Sequence, residues 1–337
     1  MKQLLIPLRK VIAIFLTFYF FLATLSVRSD NIAPLDEERL RLHLTVISDI
    51  HTEGNNIPRF KINARSLKNL GSVKDVTDAL VLLGDNTMNG QAGESLLCYG
   101  MLETVNPIKP YYTAMGNHDV GNGDESNGSF EKLRERQLGY LQAFVDKDLE
   151  ELYYSKTVNG YSLIIPAPDS EESAARTLSD KQLDWLEAQL DAAAETGKPI
   201  FVFNHYPASR IGQGHDRYAA LVTKYPNTFV IVGHMHYYIR FGRLYGAHVT
   251  PEIWVPCLSM MDENGEANDK TGLGYLLEVY DDEVVFRGMN FYEGRLTDVE
   301  EHYALQTPQT EGPEIVPVDP PIIVPIDPPV IFNADGF

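Results

Sequence analysis

Five short blocks of metal-binding residue types recur along this 337-residue chain, each directly after an apolar run of strand length. They are Asp49-Ile50-His51, Gly84-Asp85, Gly116-Asn117-His118-Asp119, His205 within Asn-His-Tyr-Pro, and Gly233-His234-Met235-His236. Five of the nine histidines lie inside these blocks, so chance placement is a poor explanation. The other four, His43, His215, His248 and His302, read as core or surface residues. A chain that repeats apolar run, polar block and helix is constrained to an α/β architecture. Open sheets of that kind gather their sites at the carboxyl ends of the strands.

The apolar runs predict buried strands at Leu42–Ser48, Ala79–Leu83, Tyr111–Met115, Pro199–Phe203 and Thr228–Val232. Helical stretches are expected around Asn63–Leu70 and Glu94–Thr104. A further amphipathic helix follows Ser179, a candidate N-cap, with Leu183, Leu186 and Leu190 on one face. Asn159-Gly160 between Tyr153–Val158 and Tyr161–Ile165 is the signature of a two-residue hairpin turn. Later in the chain Asp281-Asp282 separates strand-like runs at Gly274–Tyr280 and Glu283–Phe291. Strands alternating with helices and then hairpins suggest two packed sheets with helices outside.

The donor types can be read chemically. In extended backbone, residues i and i+2 point the same way, so Asp49 with His51, and His234 with His236, would each aim two donors at one place. Asp85 has two carboxylate oxygens and can bridge; Asn117 offers an amide oxygen and His205 another imidazole. About eight contacts result, enough for two ions and too many for one. Imidazole, carboxylate and amide donors without thiolate suit Mn, Fe, Zn or Ni. Two divalent ions against Asp49, Asp85 and a bridging hydroxide leave a net positive cluster. Two metals about 3.5–4 Å apart clamp the attacking and leaving oxygens of an in-line displacement and acidify a water between them. Phosphoryl hydrolysis is the reaction such a geometry serves best.

The blocks resemble, in order, the DxH, GD, GNH[DE], H and GHxH signature of the calcineurin-like metallophosphoesterase superfamily, over Asp49 to His236. The resemblance implies a four-layer α/β/β/α sandwich, with hydrolysis of a phosphodiester by a metal-activated hydroxide. By analogy Asp49, His51, Asp85 and His236 would hold one metal, and Asp85, Asn117, His205 and His234 the second. His118 would stabilise the transition state or protonate the leaving oxygen, and Asp119 would orient it. One departure is informative. Purple acid phosphatases place an iron-binding Tyr three residues after the bridging Asp, where this chain has Met88, so an iron–tyrosinate site is not supported. The chain also leaves no room for a large C-terminal nucleotide-binding domain. Compact secreted bacterial phosphodiesterase-like members are the nearest match. Members resembling class III cyclic-nucleotide phosphodiesterases share these motifs, but nothing outside the motifs fixes a nucleotide.

The ends differ in character from the middle. Lys2, Arg9 and Lys10 precede an apolar stretch, Val11 to Val27, which reads as an export signal or a short anchor within residues 1–30. Positive charge on its inner side puts the remaining chain outside the cytoplasm: periplasmic, secreted or membrane-anchored. The catalytic domain is expected over residues 40–300. From about Thr307 a Pro-rich tail runs to residue 337, in which Ile315–Ile322 is echoed by Ile323–Val330. Its proline density favours an extended chain, as spacer, recognition segment or neither.

A net charge of −19 argues against long nucleic acids, which need clustered Lys and Arg. The partner expected is a small phosphoester. Cys98 and Cys257 have no metal-site spacing and read as two buried thiols rather than a disulfide. Arg210, five residues past His205, could reach a phosphate, though a surface arginine explains it as well. The alternatives to a phosphodiesterase are a phosphomonoesterase on the same site and a non-catalytic, metal-bound recognition protein.

Overall fold

In the computed structural model the described residues are 31–169, 176–236 and 238–306. The expected export segment (residues 1–30) and Pro-rich tail (307–337) lie outside them. No helix among the described residues is long and apolar enough to cross a membrane.

Strands β1 (Leu42–Ile47), β2 (Ala79–Leu82) and β3 (Tyr111–Thr113) are parallel neighbours. They alternate with helices α1 (Ile57–Asn69) and α2 (Ala92–Thr104), and α3 (Phe130–Phe144) follows β3. The antiparallel strands β10 (Leu273–Val279), β11 (Glu283–Asn290) and β12 (Arg295–Ala304) extend this sheet beyond β1, giving the order β12-β11-β10-β1-β2-β3. The second sheet runs β4-β5-β6-β7-β9-β8. Its members are β4 (Tyr154–Val158), β5 (Tyr161–Ile165), β6 (Ile200–Asn204), β7 (Thr228–Val232), β8 (Arg240–Tyr245) and β9 (Val249–Trp254). Strands β5, β6, β7 and β9 are parallel, with α4 (Asp180–Ala194) and α5 (His215–Val222) on one face.

The layering follows from the period of two along each strand. Leu42, Leu44 and Val46 enter the seam between the sheets together with Phe201, Phe203, Phe229 and Ile231. The intervening residues face outward. Ile47, Leu80 and Leu82 pack against Leu67 of α1 and Met101 of α2, while Val202, Val230 and Val232 pack against Leu186 and Leu190 of α4. Strands buried on both faces read as continuous apolar runs, as parallel sheets require. Three apolar seams make four layers, so the architecture is the α/β/β/α sandwich that the sequence led us to expect.

Local signals held where their physics was local. The Ser179 side chain accepts from the Gln182 N–H and starts α4. Asn159 and Gly160 both have positive φ, 51° and 78°, as the tight β4–β5 turn demands. Cys98 and Cys257 are both free and buried.

Candidate metal centre

Every one of the five blocks leaves the carboxyl end of a parallel strand: β1, β2 and β3 in one sheet, β6 and β7 in the other. The two sheets meet there. Gly233 N–H donates to the His205 carbonyl at 3.1 Å, and His205 Nδ1 bonds the Leu83 carbonyl at 2.7 Å, joining the ends of β6, β7 and β2.

The sequence led us to expect Asp49/His51 and His234/His236 to aim together as alternate residues of extended backbone. They do converge, but not for that reason. Asp49, His51, Asp85, His234 and His236 have φ of 54°, 46°, 50°, 68° and 54°, all left-handed. The remaining described non-glycine residues with positive φ are Asn122, Asn159 and Asn227, a residue type that tolerates it. Left-handed backbone costs an Asp or His about 1–3 kcal/mol and persists only where the surroundings hold it. The block glycines belong to the same crowding. A Cβ on Gly116 would stand 2.1 Å from Asp85 Oδ1, and one on Gly233 2.0 Å from Ser48 Oγ and 2.8 Å from Asp49 Oδ2.

Three donor groups result among the described residues, His51/His236/Cys257 and two that share Asp85. Ligand atoms of Asp49, His51, Asp85 and His236 lie within 4.8 Å of one another, as do those of Asp85, His205 and His234, so Asp85 belongs to both. His51 Nε2 and His236 Nε2 are 2.9 Å apart, and His236 Nε2 is 3.0 Å from Asp49 Oδ1. Asn117 lies between Gly116 and His118, both of which abut the Asp85 carboxylate. Its amide NH2 donates to Asn122 Oδ1 at 2.7 Å, which leaves Asn117 Oδ1 buried without a partner. His205 Nε2 is likewise unpartnered, 3.2 Å from Asp85 Oδ2. Its Nδ1 proton is committed to Leu83, so Nε2 is the nitrogen that would meet a metal once its own proton is displaced. Buried polar atoms are rarely left unpaired; among those that are, His51 Nδ1, Asn117 Oδ1 and His205 Nε2 belong to the candidate donor residues.

Charge gives the same answer. Burial pushes the Asp85 carboxyl up, but His205 and His118 outweigh it and hold it well below the carboxylate range. Burial drives the His205 imidazole down, yet Asp85 and Asp49 lift it to about 9. Without an ion, protons on His205 and His236 balance the carboxylates of Asp85 and Asp49, and divalent cations would take the place of those protons. Burial keeps His51 well below its ordinary value, and burial with the charge of His205 takes His234 to about 3. Neutral imidazoles are the form that binds metal. Tested on these grounds, the residues fit divalent metal ions.

A family model settles the lineage. The sequence model for calcineurin-like phosphoesterases matches residues 42–238, more than half of the chain. The chain belongs to the calcineurin-like phosphoesterase family. That family is metal-dependent. No curated protein matches the chain significantly. Among solved structures, a conserved uncharacterized protein of Streptococcus pneumoniae, described as a predicted phosphoesterase, is 11% identical, covering 78% of this chain and 97% of its own, with a TM-score of 0.35. Vps29 of Entamoeba histolytica is 13% identical over 79% of this chain and 100% of its own, TM-score 0.34. A cold-active protein-tyrosine phosphatase of Shewanella is 14% identical over 82% and 83%, TM-score 0.34.

His118 stands against this family centre, its ring edge-on to His51 with centroids 4.8 Å apart. Its backbone N–H donates to Asp85 Oδ1 at 2.9 Å. Here the expectation for Asp119 needs correction. His118 Nδ1 bonds the Met88 carbonyl at 2.7 Å, so Met88 orients the ring and Nε2 is left to act. Asp119 turns away. Its two oxygens accept from Asn86 N and Nδ2, Thr87 N and Oγ1, and Gly116 N, at 2.9–3.2 Å. It ties the Gly84-Asp85 loop to the Gly116-Asn117 loop rather than steering its neighbour. Burial and the nearby Asp85 raise its carboxyl to about 6.

Arg210 is exposed at the end of a short turn. A different arginine, Arg176, lies on the His234 side of the centre. Its charge is felt at His234 and Tyr206, and its Nε is buried without a hydrogen-bond partner. No local motif marks it.

Proposed function

We propose that the protein is an exported, dinuclear metal-dependent phosphoesterase that hydrolyses a small phosphodiester. The observation that carries this reading is the sharing of Asp85 by two donor groups. Asp49, His51, Asp85 and His236 would hold one divalent ion; Asp85, Asn117, His205 and His234 would hold the other. When bound, such a pair supplies Lewis acidity to the phosphoryl oxygens and acidifies the attacking water.

The chain's own groups do the rest. The left-handed loops fix the donors before substrate arrives, so little reorganisation is needed. His118, set by the Met88 carbonyl, presents Nε2 to the leaving oxygen and delivers a proton to it, or holds a phosphoryl oxygen as charge develops. Arg176 adds positive charge on the His234 side and would bind a non-bridging oxygen of the ester.

A diester is favoured over a monoester on charge. A protein of net charge −19 repels a dianion more than a monoanion, and only the local centre offsets this. The resemblance to compact phosphodiesterase-like members supports the same choice, and the basic and apolar N-terminus supports export. The test is turnover of bis-p-nitrophenyl phosphate against p-nitrophenyl phosphate with Mn²⁺ supplied and then chelated. Faster diester turnover that vanishes on chelation is expected. Faster monoester turnover would move the assignment to a phosphomonoesterase. No turnover of either ester by the metal-loaded protein would leave a recognition protein.

A further inference from the structure

Asp49 is held in place by residues from far along the chain, beyond the stretch that matches the family. The segment after β9 runs beside the end of β1, with Cys257 bridging to Ser48 and Leu258 N–H donating to the Ser48 carbonyl at 2.9 Å. Two side chains of that segment converge on one atom. Cys257 Sγ and Ser259 Oγ each lie 3.2 Å from the Asp49 carbonyl oxygen, and both donate to it. Both residues are buried, at 3% and 1% exposure. The thiol also faces the centre: Cys257 Sγ lies within 4.8 Å of ligand atoms of His51 and His236.

Asp49 needs such a hold. Its φ of 54° is left-handed, so its carbonyl is rotated out of the direction β1 would give it. Its N–H goes to the Gly84 carbonyl at 3.1 Å, and its carboxylate takes His234 N–H and His236 Nε2 at 3.1 and 3.0 Å. The carbonyl is the remaining handle on the peptide. We infer that Cys257 and Ser259 are positioning residues for the metal ion on the Asp49 side, pinning the Asp49 carbonyl so that its carboxylate stays aimed at His51 and His236. Outer partners that orient a ligand usually matter 10- to 100-fold in metal affinity. An S–H is the weaker donor, so Ser259 carries the larger share and serine can replace Cys257.

The inference rests on the metal-centre reading, and the experiment separates the two. Chelator-treated wild type, Cys257→Ser, Cys257→Val, Ser259→Ala and the Cys257→Val/Ser259→Ala double variant are titrated with Co²⁺. Visible absorption reports the ion's environment, and circular dichroism reports the fold. Wild type and Cys257→Ser should bind alike. Ser259→Ala should weaken the first ion about 10-fold and the double variant about 100-fold, with an altered Co²⁺ spectrum. Should the double variant not fold, the two single variants decide. Folded variants that bind Co²⁺ with wild-type affinity and spectrum would overturn the inference while leaving the centre intact. Loss in Cys257→Ser equal to that in Cys257→Val would also overturn it, because a hydroxyl would then not replace the donor. A wild type that takes up no Co²⁺ would overturn the metal centre itself.

Discussion

Replacing His118 by Asn keeps the backbone N–H that binds Asp85 and removes the imidazole beside His51. Turnover should fall by about 10²–10⁴-fold with metal content unchanged, measured by steady-state kinetics and elemental analysis on one preparation. Metal loss in that variant would contradict its role. Asp119→Ala should behave oppositely, as a folding defect. It orphans donors on Asn86, Thr87 and Gly116, so stability should fall by about 3 kcal/mol or more in urea unfolding. Arg176→Ala should raise KM more than it lowers kcat, because it removes charge that acts on the bound anion. These residues also show what a sequence displays. The candidate donors Asp49, His51, Asp85, His205, His234 and His236, which the fold brings together, were legible because donor chemistry is a property of residue type. The role of Asp119 was not, since adjacency to His118 says nothing about which way a tight turn sends each side chain. Arg176, Cys257 and Ser259 reach the centre through tertiary contacts and carry no local signature.

At the scale of elements, the parallel strands and the β4–β5 hairpin were readable because burial on both faces and a left-handed turn write directly into sequence. Helix α3 was passed over. Its buried stripe is Leu133, Gln137 and Leu141, and the polar member breaks the apolar pattern. Gln137 is buried for a reason that only the fold reveals, a hydrogen bond from Nε2 to the Asp119 carbonyl at 3.0 Å. Strands β8 and β12 were missed because both are edges with charged or half-exposed faces, and β8 carries a glycine. The convergence of Asp49 with His51 was foreseen with the wrong backbone, because left-handed loops and extended strands both bring alternate residues near each other. Ser179→Ala offers a control that separates elements from chemistry. Loss of the α4 cap should cost about 1 kcal/mol in unfolding and leave turnover per folded molecule unchanged.

For the whole molecule, the acid side of the stability curve has a contributor outside the metal centre. His43 is buried between Thr77 and Glu278, and burial takes its pKa from 6.5 to about 4. The unfolded chain binds this proton below pH 6.5, whereas the folded chain waits until about pH 4. Stability is therefore fully present above 6.5 and falls as pH drops through that window, by on the order of 3 kcal/mol from this residue. A His43→Gln variant should show a correspondingly shallower loss between those pH values in urea titrations. Ions binding only the folded chain should also raise the melting temperature, with the logarithm of their concentration over Kd, and a chelator should remove that gain.

The account turns on two ions sharing Asp85, and Mn²⁺ reports that most directly. Chelator-treated protein loaded with Mn²⁺ should hold two ions per chain by elemental analysis, with the exchange-coupled paramagnetic resonance spectrum of a pair a few ångström apart. Asp85→Ala should abolish the coupling. One ion per chain, or two giving independent uncoupled signals, would contradict the shared centre.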